Sequence, residues 1–279
     1  MRFIRVTPHD VPEVEAFQHA RSDYVMFPLN NLTRFGLNGI DNLAPRMWRN
    51  GDGAPTGILS VTKAGMVMPY LPSGDFDAAA AALYGRSLIG IIGTKQAVRG
   101  TQSALGLATA DMELDADEVH FALDLDDLSI PDGTTHIVPM TETLRPKLTE
   151  WMVDYHINTL GMTPDAAAAA VPDRISREIA ENRRVILMDG DTPVAATAFN
   201  AALPHIVQIG AVYTPPALRG KGYARRAVAL HLEQARTTGV RRATLFASAQ
   251  NAIAAYTAVG FRQIGEWVLA IFKTPQVVP

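Results

Sequence analysis

The chain has 279 residues, with 25 Lys and Arg against 28 Asp and Glu for a formal net charge of −3. That balance argues against a phosphate-tracking nucleic-acid binder, which carries a basic patch or stripe. The absence of cysteine removes disulfide scaffolds, thiolate zinc sites, thiol nucleophiles and iron–sulfur ligation together.

An apolar fraction of 48% with 19% charged residues is an ordinary globular composition, and the length suits about two domains. No run approaches the roughly 18 consecutive apolar residues of a membrane span. The N-terminal Met1-Arg2-Phe3-Ile4-Arg5-Val6 interleaves charge with apolar residues. The expectation is a cytoplasmic protein without membrane or nucleic-acid partners. The histidines lack metal-ligand spacing, so no metal is expected, and nothing in the sequence speaks to oligomeric state.

In chain order, Pro8 to Ala20 reads as helix and Pro55 to Leu71 as a hairpin turning at Lys63-Ala64-Gly65. An alanine-rich helix over Phe76 to Tyr84 precedes a strand over Leu88 to Ile92. A further strand, Val119 to Leu125, leads to the turn-rich Ser129-Ile130-Pro131-Asp132-Gly133-Thr134, which places a domain boundary between residues 133 and 134.

Beyond it come a strand over Thr135 to Val138 and one amphipathic helix carrying Leu144, Leu148, Trp151, Met152 and Tyr155. Pro164 opens another helix, which Pro172 is expected to interrupt before Arg174 to Asn182 resumes it. Asp189-Gly190-Asp191 joins strands Val185 to Met188 and Pro193 to Phe199, and a third strand covers His205 to Tyr213.

After that strand, Arg219-Gly220-Lys221-Gly222-Tyr223-Ala224 enters a helix whose stripe is Ala224, Val228, Leu232 and Ala235. A glycine-containing turn between a strand and a helix start is an anion site. Unpaired amides and the positive end of the helix dipole face a phosphate there, and glycine lets the backbone approach it. The spacing is neither that of a P-loop nor Gly-x-Gly-x-x-Gly, so a dinucleotide fold is disfavoured. Gly210, inside the preceding strand, marks a bulge or a close backbone approach, which would free amides around Ala211 and Val212.

The six loop residues match the Gln/Arg-x-x-Gly-x-Gly/Ala pattern, and the chain here resembles the GNAT superfamily of N-acetyltransferases. Tyr213-Thr214-Pro215 before the loop and Asn251-Ala252-Ile253-Ala254-Ala255-Tyr256-Thr257-Ala258-Val259-Gly260-Phe261 after it extend the resemblance over about residues 134 to 273. It implies an α/β fold with a mixed, mostly antiparallel sheet flanked by helices. Residues 1–133 would be a degenerate second copy or accessory domain, without a phosphate loop of their own, and residues 134–279 the catalytic domain.

The co-substrate implied is acetyl-CoA, held by Ala211, Val212, Tyr213, Arg219, Gly220, Lys221, Gly222, Tyr223, Ala224 and Asn251. Asn251 also suits a helix N-cap. Tyr256 would protonate the departing thiolate, and a deprotonated primary amine of a small-molecule or amino-acid-like acceptor would attack directly. His156, Glu178 and His205 lie in segments expected to border the acceptor, none of them identified as the base; His231 reads as a core-edge histidine. Tyr24 to Leu32 offers an acceptor-lining or a packing segment. Two other functions use the same loop or fold: a non-catalytic acyl-CoA sensor and an aminoacyl transferase of the tandem type.

Overall fold

A computed structural model describes residues 2–51 and 53–278. The chain divides into two compact units, Met1–Val119 with Gly265–Pro279, and His120–Ile264. The turn at residues 129–134, where composition suggested a boundary, lies inside the second unit. Arg226, on the helix that follows Gly222, stitches this turn to that helix, donating to Thr135 Oγ1 at 2.6 Å, Gly133 O at 2.6 Å and Pro131 O.

The first unit runs β1 (Phe3–Arg5), α1 (Val11–His19), α2 (Ser22–Phe35), β2 (Pro45–Asn50), β3 (Ile58–Thr62), β4 (Met66–Tyr70), α3 (Phe76–Ala82), β5 (Ser87–Thr94), α4 (Lys95–Ala104) and the start of β6 (Met112–Asp124). The second runs β7 (His136–Pro139), α5 (Arg145–Asn158), α6 (Pro164–Ala180), β8 (Arg184–Asp189), β9 (Thr192–Ala202), β10 (Ile206–Tyr213), α7 (Tyr223–Thr237), β11 (Arg242–Ala247) and α8 (Gln250–Thr257). The chain then enters β12 (Arg262–Val277), whose larger part belongs to the first unit.

Each unit repeats one plan. In the first, β1-β2-β3-β4-β5 are neighbours in order and β12 pairs with β5, with Trp267 opposite Thr94; in the second, β7-β8-β9-β10-β11 mirror that order beside the end of β6. All pairings within the two five-strand runs are antiparallel except β4 with β5 and β10 with β11. The expected mixed, mostly antiparallel sheet, flanked by helices and present twice in tandem, is therefore found.

Alternation along the strands explains the layers. In the first unit Met47 and Ile58 join Val14, Phe17 and Leu32 of α1 and α2, while the neighbouring Trp48 and Leu59 join Ala79 and Val98 of α3 and α4. In the second, Ile186 and Ala196 pack with α5 and α6, and the adjacent Leu187 and Ala195 with α7.

Two expectations are corrected. Pro172 does not interrupt α6, which is continuous from Pro164 to Ala180. Val171 and Ile175 are fully buried on one face of it, worth about 1.5–3 kcal/mol each, which offsets the roughly 3 kcal/mol cost of an internal proline. Asn251 is not an N-cap; Ala249 occupies that position and Asn251 sits in the first turn of α8.

Candidate donor site at the start of helix α7

β10 and β11 register only over Ile206–Gln208 against Arg242–Thr244, so Ile209–Tyr213 run on without a β11 partner. On the other side, β10 bulges against β9: Gly210 faces Ala198, yet Tyr213 faces Ala196. Two residues, Ala211 and Val212, thus oppose one, and Ala211 takes the left-handed conformation at φ +47°. The bulge expected near Gly210 is present, with its strained residue one position later. Gly210 also makes room for a neighbour, since a Cβ there would fall 1.8 Å from the Asn200 side-chain amide nitrogen, which would have to shift.

Beneath the bulge lies a buried ion-pair group. Arg184 is 1% exposed; its Nε and Nη2 donate to Glu178 at 2.5 and 3.0 Å, and its Nη1 donates to Ala211 O at 3.3 Å. Arg174 donates to the same Glu178 at 2.9 Å and to Asn200 Oδ1 at 3.1 Å. Burial alone would raise the Glu178 carboxyl, but Arg184 and Arg174 together hold it below its ordinary value. Glu178 is accordingly committed to two guanidinium groups.

His156 is 3% exposed with neither ring nitrogen hydrogen-bonded among the described residues; burial first, then Arg174 and Arg184, lower its pKa. His231 is buried and stacked on Phe199 at 3.7 Å, pushed down to about 3 by burial and Arg184, which makes it a neutral core residue rather than one at the core edge. His205 is half-buried, and its carbonyl accepts the Arg241 and Arg242 amides.

Past Tyr213 the chain makes a short 3₁₀ turn, Pro216–Leu218, and enters α7 through Gly220 at φ +80° and Gly222 at φ +79°. These left-handed values suit glycine. Gly222 is the N-cap of α7 and no side chain caps the helix. The first-turn amides of any helix lack intrahelical acceptors, so here they are available to solvent or to an anion.

A cavity of about 550 Å³ opens on this turn. Arg219, Gly220, Lys221, Gly222, Tyr223, Ala224 and, from α8, Asn251 all line it, so one space gathers seven of the ten expected donor-binding residues. Sequence reasoning missed Arg225, whose Nε is buried and without a partner among the described residues. It also missed Ala254 and Ala255, three and four residues beyond Asn251 on the same helical face, whose small side chains leave the space open. That spacing was readable in the sequence.

The remaining expected residues lie elsewhere. Ala211 and Val212 form the bulge. Tyr213 donates its hydroxyl to Asp154 at 2.7 Å; burial, then that carboxylate, raises its pKa far above the ordinary value. Within the turn, Arg219 Nε closes back on Thr214 O at 3.1 Å, and Tyr223 donates to Asp189 at 2.8 Å. Tyr256 is 8% exposed, edge-on to Phe261 at 6.2 Å between centroids, and is not among the residues lining the cavity.

The corresponding position of the first unit is built differently. There α3 begins after Asp75, whose carboxylate accepts from Asn50 Nδ2 at 3.3 Å. An acidic side chain at a helix start disfavours a phosphate.

Among the described residues no helix is long and apolar enough to cross a membrane. Residues 146–261 match the model of the acetyltransferase (GNAT) family. Similar solved structures span nearly the whole chain. A GNAT-family acetyltransferase from Colwellia psychrerythraea is 13% identical with a TM-score of 0.54, covering 98% of this chain and 100% of its own. A tandem GNAT protein from the clavulanic acid biosynthesis pathway is 13% identical with a TM-score of 0.55, covering 96% and 97%. A Drosophila protein is 14% identical with a TM-score of 0.63, covering 96% and 98%. No curated protein matches the sequence.

Proposed function

From the premise that the second unit carries a GNAT-family domain, we propose that the protein is an acetyl-CoA-dependent N-acetyltransferase acting on a primary amine of a small-molecule or amino-acid-like acceptor. The observation that carries this reading is the uncapped start of α7, with Gly222 at the N-cap and Arg219, Lys221 and Arg225 around one cavity shared with α8. Amides, helix dipole and guanidinium groups converge there on a diphosphate-sized anion.

In the proposed reaction, Lys221 and the amides of Gly220 to Ala224 hold the pyrophosphate of the donor, and Asn251 contacts its arm. The parting of β10 from β11 gives the pantetheine arm a backbone-lined path, and the bulge would turn the amides of Ala211 and Val212 toward the thioester carbonyl. The amine nitrogen attacks the carbonyl carbon, a C–N bond forms, the C–S bond breaks and the amine nitrogen loses a proton to solvent. Tyr256 gives a proton to the departing thiolate.

A second reading, an acyl-CoA sensor without turnover, is favoured by the burial of Tyr256 against Phe261. Free-thiol release from acetyl-CoA across a panel of primary amines and amino acids separates the two. Acceptor-dependent thiol release supports the enzyme; CoA binding without release by any acceptor supports the sensor.

A further inference from the structure

Remote in sequence from α7, the first unit holds a cavity of about 270 Å³ between the loop following α2 and the ends of β1, β2 and β3. Arg5, Arg46 and Lys63 line it, and among the described residues no acidic side chain does. Arg5 lies opposite Trp48 in the β1–β2 ladder, and Arg46 is two residues along β2, opposite Val61 of β3, so both arginines leave the same face of the sheet.

The far wall is a defined loop rather than a loose one. Asn38 holds φ +58° and its amide donates to Pro45 O at 2.9 Å; a Cβ on Gly39 would fall 2.0 Å from Phe35 O. The cations reach across to this wall, Arg5 to Asn38 Oδ1 at 3.2 Å and Lys63 to the Ile40 carbonyl at 2.8 Å. Both are neutral acceptors, which leave the positive charge uncompensated. Asp41, in the same loop, spends a carboxylate oxygen on the Leu43 amide at 2.8 Å.

A fourth cation sits beside the group. The Arg86 guanidinium lies 4.6 Å over the Trp48 ring, and its Nε is buried without a partner among the described residues. Burial, then repulsion from Arg46 and Arg5, lowers its pKa. In a chain of net charge −3, four neighbouring cations with no facing carboxylate among the described residues repel one another, and although solvent screens the three exposed ones, a bound anion would remove that repulsion.

We infer that Arg5, Arg46 and Lys63 form a binding site for a small multivalent oxyanion, a phosphate-bearing or polycarboxylate molecule, distinct from the donor site on α7. Guanidinium forks match such oxygens in pairs, while the lysine contributes a point charge. The ligand would stabilise the first unit independently of CoA.

The test uses the full chain with Gly222→Val, which silences the α7 turn, or Lys221→Glu should the first variant not fold. Sodium pyrophosphate and citrate are titrated separately, by calorimetry and thermal unfolding, against sodium chloride at matched ionic strength. Binding of either anion above the chloride control supports the site, and the stronger one identifies the ligand chemistry. Arg46→Gln should weaken that binding about tenfold, as expected for one charge-assisted hydrogen bond, and Arg46→Gln with Lys63→Gln should abolish it. Because Arg46 repels Arg86, Arg46→Gln should melt no lower than its parent without the anion and gain less with it. Stabilisation by neither anion, or undiminished binding in the Arg46→Gln, Lys63→Gln protein, overturns the inference.

Discussion

Replacing Arg184 by methionine keeps the length of a buried side chain but removes three hydrogen bonds, two to Glu178 and one to the carbonyl of the bulged Ala211. Breaking a buried pair from one side costs about 3–5 kcal/mol, because the orphaned charge stays buried. Arg174 remains on Glu178 at 2.9 Å, which places the expected loss at the lower end, about 3 kcal/mol. For a unit of this size that is roughly 6–12 °C in Tm.

The loss should depend on pH. In the native protein Glu178 titrates below the ordinary glutamate value of 4.5, so the pair's contribution is full above that pH and fades as pH falls through the lower folded pKa. In Arg184→Met the carboxyl loses its nearest cation and burial raises it. The variant's deficit should therefore be largest at pH 7 and shrink toward pH 4.5. Urea unfolding at both values measures it, with Glu178→Gln, Arg184→Met expected to recover at least half of the loss at pH 7. A deficit independent of pH, or a double variant less stable than Arg184→Met alone, would refute the electrostatic reasoning.

CoA should stabilise the protein by about 2.7 kcal/mol at 100-fold excess over its dissociation constant, and Gly222→Val should erase that gain by forcing a β-branched residue into a left-handed turn; thermal unfolding with and without CoA reads both. Tyr256→Phe should retain CoA affinity while losing about 10²- to 10⁴-fold in turnover, and turnover at the wild-type rate would make Tyr256 a packing residue. Gly210→Ala should cost about 1–3 kcal/mol by overpacking against Asn200, with Asn200→Ser in the same chain restoring most of it in denaturant melts.

The glycine turn into α7 was legible because its geometry is local: a strand, two glycines and a helix start within a dozen residues constrain one another. The bulge was legible in part, since Gly210 signalled a close approach, yet the strain at Ala211 depends on pairing with β9, which no local pattern reports. Arg184 and Glu178 were hidden for the same reason. Arg184 opens β8 ahead of its apolar run, and a charged residue there reads as a solvated strand end until its partner on α6 is placed over it.

The division between units was hidden because the chain changes unit within β6 and β12. Composition shifts at turns, whereas a strand crossing from one unit to the other carries no punctuation. Pro172 misled because local propensity forbids what the burial of Val171 and Ile175 sustains.

The most direct test of the account is a crystal structure of the protein with CoA bound. The account predicts the pyrophosphate on the amides of Gly220 to Ala224, and the pantetheine arm running along β10 past Ala211. A pyrophosphate seated anywhere else, including at α3 of the first unit, would contradict it.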